Sequence, residues 1–135
     1  MKKSLTILSS LILAILALGA FSGCTECDAG EAAEGRVLRH VVCLKYKDDV
    51  TAEQKADVIK DIYDLPNKIK ELKYLELGEE VSVEGKNKGF TQVITMTFAD
   101  EAGRDIYLPH PDHVALVDKV GPLLEDVLVV DYWSK

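Results

Sequence analysis

Strand-like and helix-like segments in the order β-α-β-β-α-β predict an α+β fold of the ferredoxin-like type, a four-stranded antiparallel sheet with its helices on one face. Three observations carry this expectation. Residues 37–47, 73–84, 90–98 and 126–133 have strand character. Helical periodicity fills the gap between the first and second of these and between the third and fourth. The stretch GKNKG, residues 85–89, places glycine at both ends of a turn that joins the middle pair.

Each element has its own grounds. In VLRHVVCLKYK, residues 37–47, one parity carries His40, Val42, Leu44 and Tyr46, and the other carries Val41 and Cys43 between Arg39 and Lys45. A helix opens after it: Thr51 can cap it, Gln54 three residues later completes a capping box, and Val58, Ile59, Ile62, Leu65 and Ile69 recur at helical spacing. Pro66 is expected to disturb or end its regular part. FTQVITMTF, residues 90–98, alternates as a strand, and DEAGRDIYL, residues 100–108, reads as a short helix. Pro111 starts a second helical stretch where its missing N–H costs nothing, with His113, Leu116, Val117, Val120 and Leu124 as its apolar stripe. DVLVVDYW, residues 126–133, closes the sheet.

The two outer strands of this order, first and last in the chain, are apolar on both parities. A sheet with one solvated face should alternate apolar with polar, so something must cover the second face. The simplest cover is another copy, and a homodimer is expected.

Residues 1–23 stand apart from the domain. MKK supplies a positive start, an apolar run broken by Ser4, Thr6, Ser9 and Ser10 follows, and SGC ends it with small residues before Cys24. This is the layout of a secretory signal peptide rather than of a membrane span. The cysteine at the cleavage point resembles the lipobox of bacterial lipoproteins, in which it carries the lipid; an uncleaved anchor helix is the competing reading. The resemblance implies an exported protein, lipid-anchored through Cys24 to a bacterial membrane on its periplasmic or cell-surface side. Residues 24–35 are small, acidic and aperiodic, as in a flexible tether, and the domain occupies 36–135. Cys27 falls in that tether and Cys43 in the first strand; a disulfide between them would need the tether to fold back.

The whole chain carries 16 basic and 23 acidic residues. Without Lys2 and Lys3, the part from Cys24 has a formal charge of 14 − 23 = −9. That balance argues against nucleic acid as a partner and against adhesion to anionic lipid, leaving membrane attachment to the lipid on Cys24.

YLPHPDH, residues 107–113, concentrates two of the three histidines, a tyrosine and two prolines. His113 begins the sheet-facing stripe of its helix and His40 shares the parity of Val42 and Leu44. With helices on that face, His40, Tyr107 and His113 converge on a pocket lined by Val42, Leu44, Val58, Ile59, Ile62, Ile94, Val127 and Val129, with His110 beside it. Polar groups converging in an apolar pocket form a candidate binding site. Plainer readings stand beside it. His110 can cap a helix, His113 and His40 can hydrogen-bond each other, and Tyr107 can be packing. The HxxH spacing with Asp112 is not backed by a second cluster, so neither a metal nor a cofactor is expected. A nucleophilic triad is unsupported, because the motif holds no Ser or Cys.

The segments RHVVCLKYKDDVTAEQ, GKNKGFTQVITMTFADEAGRDIYLPHPDHVALV and LLEDVLVVDYW together resemble the stress-responsive dimeric α/β-barrel (Dabb) domain. The resemblance covers nearly everything after the tether. It implies that two ferredoxin-like sheets pair into a dimeric α/β barrel, possession of a stress-related role, and, in a branch similar to plant polyketide cyclases, aldol-type chemistry. By that likeness His113 is the base and Tyr107 polarises or protonates the carbonyl. A neutral imidazole and a phenol are competent in those roles near neutral pH. Gln92 stands where many relatives are expected to carry histidine. The expectation placed first is a membrane-anchored homodimer that binds a small apolar or aromatic molecule; a cofactor-independent cyclase or lyase comes second, and a structural dimer third.

Overall fold

A computed structural model describes residues 35–135. The signal peptide, Cys24, Cys27 and nearly all of the tether lie outside the described residues. The elements are β1 (Leu38–Tyr46), α1 (Ala52–Lys68), β2 (Tyr74–Glu79), β3 (Gln92–Phe98), α2 (Glu101–Tyr107), α3 (Pro111–Val120), a 3-10 turn (Gly121–Leu123) and β4 (Leu124–Trp133). All pairings are antiparallel, and the strand order is β2-β3-β1-β4. This is the expected ferredoxin-like α+β fold, with three α-helices among the described residues because Leu108–His110 separates α2 from α3.

β1 is therefore an inner strand, flanked by β3 and β4, not an outer one as chain order suggested. Directly paired residues share a face of an antiparallel sheet. Leu38, His40, Leu44 and Tyr46 of β1 and Gln92, Ile94, Met96 and Phe98 of β3 are all buried on one face. Against them pack Val58, Ile62 and Leu65 of α1, Ile69 and Leu72 after it, Tyr107 of α2 and Leu116 of α3. Val42 sits between Ile94 and Val129, and Leu44 between Gln92 and Val127, so Val127 and Val129 also belong to this face.

Among the described residues, no helix lies over the opposite face. Val41, Cys43, Val93 and Thr95 are half-buried there, and Leu128, Val130 and Tyr132 of β4 are 46–50% exposed. Cys43 is thus only partly buried, in the middle of an open face.

Local chemistry explains the helix ends. Gln54 N–H donates to Thr51 Oγ1 at 3.3 Å, and the Thr51 N–H donates to Gln54 Oε1 at 2.9 Å, closing the capping box. Pro66 does not end α1, which continues to Lys68. In the last turn the proline forfeits little more than one hydrogen bond, and its ring faces solvent. β2 stops at Glu79 rather than 84; Val81 and Val83 are fully open to solvent, and Glu80 turns back through its N–H to the Thr91 carbonyl. Leu124, expected on the α3 stripe, begins β4 after the 3-10 turn instead.

Candidate functional site

The three helices cover the sheet unevenly, and a cavity of about 350 Å³ remains between α3, the end of α2, Ile62 of α1 and strands β1, β3 and β4. Of the expected residues, His40, Val42, Leu44, Ile62, Ile94, Tyr107, His113, Val127 and Val129 line it. Met96, Leu108, Leu116, Val117, Val120, Gly121 and Leu124 complete the wall. Val58, Ile59 and His110 do not. On α1 the residue one turn along, Ile62, reaches the cavity, whereas Val58 is buried in the core and Ile59 is half-buried to its side. His110 is the N-cap of α3: the Asp112 N–H donates to its Nδ1 at 3.3 Å. No group of three or more His, Cys, Asp and Glu side chains suited to a metal ion occurs among the described residues.

His113 sits in the first turn of α3, and its Nδ1 lies 2.8 Å from the Leu108 carbonyl. A carbonyl only accepts, so Nδ1 carries the proton and Nε2 holds a lone pair. Burial is the largest influence on this imidazole and lowers its pKa below the ordinary value. The bond to Leu108 works the other way, and His40 and His110 add to the lowering. His113 is a neutral base at physiological pH.

His40 is anchored differently. Its Nδ1 lies 2.6 Å from Asp131 Oδ1, directly across the β1–β4 pairing. The second Asp131 oxygen accepts from Arg104 Nη1 at 2.9 Å, and Arg104 also donates to Asp105. Burial, the largest single influence on Asp131, opposes its ionisation, but the hydrogen bonds and charges of His40 and Arg104 together outweigh it and hold the carboxyl below its usual range. The two imidazoles thus have separate anchors, and the alternative of a bond between them is not what the structure contains.

Tyr107 is buried between them, its ring 4.3 Å from that of His113 and 6.0 Å from that of His40. Phe98 closes the cluster at 5.1 Å. Burial pushes the phenol pKa far up, so Tyr107 keeps its proton and has an O–H to offer rather than a phenolate oxygen. Gln92 is buried, but its side-chain N–H donates to the Gly78 carbonyl at 2.7 Å and it is not part of the cavity wall.

Asp131 and Arg104 were not foreseen. The signal for Asp131 was present: it is an acid that interrupts the apolar run after Val127, on the parity of Val127 and Val129. Placing it opposite His40 required the β1–β4 register, which residue patterns do not supply.

Residues 38–134 match the model of the stress responsive A/B barrel domain, called Dabb. The chain belongs to the Dabb family. Within the family's reach, the chain is 32% identical over 95 residues to olivetolic acid cyclase of Cannabis sativa, covering 70% of this chain and 94% of that protein. The hydroxynitrile lyase of Passiflora edulis superposes with a TM-score of 0.70 at 26% identity, over 73% of this Dabb chain and 94% of the lyase. A dimeric ferredoxin-like protein of Thermobifida fusca superposes with a TM-score of 0.64 at 29% identity, over 73% of this chain and 92% of its own.

Proposed function

We propose that this Dabb chain forms a homodimer through its open sheet face and that its pocket binds a small, uncharged, largely apolar molecule bearing a carbonyl or hydroxyl group. On that molecule the histidine–tyrosine cluster performs cofactor-independent acid–base chemistry of the cyclase or lyase kind. The observation that carries this reading is one apolar cavity holding a neutral imidazole, His113, a phenol kept protonated, Tyr107, and a second imidazole, His40. The phenol donates to a carbonyl oxygen as negative charge develops, and an imidazole takes the proton.

Size and charge narrow the ligand. About 350 Å³ holds roughly a dozen groups of water's size, at about 30 Å³ each. Among the described residues, no Lys, Arg, Asp or Glu lines the cavity, so a carboxylate or phosphate would enter unpaired, at a cost of several kcal/mol or more. Two relatives named for a cyclase and a lyase activity support turnover, and the dimeric Thermobifida fusca structure supports the paired sheet face.

The test uses an aromatic hydroxynitrile as probe, following aldehyde release by absorbance, with benzaldehyde binding measured by calorimetry. Cleavage lost in both His113→Ala and Tyr107→Phe supports catalysis. Benzaldehyde binding without cleavage in the unaltered protein leaves binding alone, the function expected first from the sequence. Failure of both removes the pocket reading.

Export and lipid attachment are proposed on the residue pattern of positions 1–24 alone. Incorporation of an alkyne-tagged fatty acid, abolished in Cys24→Ser, is the expected result; labelling that survives the substitution refutes it.

A further inference from the structure

Two imidazoles share one cavity, and their surroundings are unequal. The Nδ1–H of His113 is held by a neutral backbone carbonyl. That of His40 is held by a carboxylate, whose other oxygen is held by a guanidinium. A carbonyl fixes a tautomer and offers an imidazolium little charge compensation, whereas a carboxylate at 2.6 Å does both. His40 is also the more deeply buried, 5% exposed, so a positive charge there depends on its built-in partner.

We infer that His40, oriented by Asp131 and Arg104, is the residue on which the proton comes to rest, and that His113 stays a neutral hydrogen-bonding partner throughout. This rests on the acid–base reading of the pocket and deepens it, and it differs from the role that family likeness gives His113. In the step, a C–H or O–H bond of the bound molecule breaks and its proton goes to His40 Nε2. The electron pair stays on the molecule, where the Tyr107 hydroxyl stabilises the resulting oxyanion by hydrogen bonding. The proton returns to the product when the bond rearrangement is complete. Asp131 touches no substrate atom; it is a positioning residue that also balances the imidazolium.

The groups facing His40 are few. β4 presents Asp131; α2 presents Arg104 and Tyr107, with Asp105 behind Arg104; α3 presents His113, with His110 beyond it. From β3 it meets only apolar neighbours, Met96 in register and Phe98 with its ring 6.4 Å away.

The test follows cleavage of an aromatic hydroxynitrile by the full chain in neutral detergent, with benzaldehyde affinity read by calorimetry on the same variants. The expected result is that His40→Asn lowers kcat by about 100-fold or more while benzaldehyde still binds. Asp131→Asn should lower kcat by about tenfold or more with KM nearly unchanged, a split that a merely structural salt bridge would not produce. His113→Gln, whose amide still hydrogen-bonds, should keep part of the turnover. If His40→Asn cleaves like the unaltered protein, or His113→Gln loses as much as His40→Asn, the inference is wrong. Should Asp131→Asn not fold, the kcat of Arg104→Gln is read in its place. Absence of cleavage in the unaltered protein removes the acid–base reading itself, whereas cleavage that persists without His40 removes this inference alone.

Discussion

Replacing Val130 with aspartate tests whether the open face of the sheet is the surface on which two copies meet. Val130 is 46% exposed in the single chain, flanked by Leu128 at 46% and Tyr132 at 50%, with Val41 and Cys43 beside them on β1. In an isolated protomer the new carboxylate faces water, so folding stability should change by no more than about 0.5 kcal/mol, the usual range for a surface position. In a dimer two effects add. Full burial of a valine is worth about 1.5–3 kcal/mol, and about half of that remains to be gained on association, so roughly 1 kcal/mol is forfeited. An unpaired carboxylate must also be desolvated, at several kcal/mol. A two-fold interface repeats the whole loss on the second copy. A conservative total of about 4 kcal/mol corresponds to roughly a thousand-fold weaker Kd at about 1.4 kcal/mol per decade. Sedimentation velocity on residues 35–135, from 1 to 100 μM as trial concentrations (roughly the range for a micromolar Kd), reads the result directly. The unaltered domain should sediment as a dimer and Val130→Asp as a monomer that keeps a native far-UV circular dichroism spectrum, its melting temperature lower only by the lost association. Tyr63→Asp, at an exposed site on α1, should remain dimeric. A dimeric Val130→Asp protein would refute the assignment of this face.

Other perturbations bear on the helix cap, the turn and the histidine. Thr51→Ala removes the hydroxyl half of the capping box, the backbone N–H of position 51 still reaching Gln54, and should cost about 1 kcal/mol in urea unfolding, with the m-value unchanged. Gly89→Ala should cost about 1–2 kcal/mol, because its φ of +84° is left-handed; a Cβ there would also lie 2.6 Å from the Lys45 side chain, which must move aside. The His113 pKa is lower in the folded chain than in the unfolded one, so its contribution to stability is present above the unfolded value of about 6.5 and is lost as pH falls through the folded value. Melting temperature should therefore drop more between pH 7 and pH 5 for the unaltered protein than for His113→Gln, and equal drops would contradict the burial of that ring.

Most of the sheet was legible because its alternation is strong. Ile94, Met96 and Phe98 announce one buried face of β3, and the capping residues Thr51 and Gln54 announce the start of α1. The pocket was legible to the extent that parity dictates it: His40, Val42 and Leu44 must share a face, and His113 must share one with Leu116. What failed has a common cause, since residue patterns describe one element at a time. Ile59 satisfies the helical period as well as Ile62 does, and only the placement of α1 on the sheet separates them. β1 was assigned an outer position because chain order does not give strand order. Asp131 escaped notice because its significance lies in the residue across from it.

The bond between His40 and Asp131 joins positions 91 apart in sequence, and β1 cannot complete its sheet until β4 has docked beside it. Closing a loop of that length costs entropy that no local contact offsets, so this pairing is expected among the late events of folding. A chain that has collapsed around β2, β3 and α1 could be compact and helical and still hold a His40 with no carboxylate beside it. The state of that one imidazole would therefore report whether the last strand has arrived, and a partly folded chain would be chemically silent even where its core had formed.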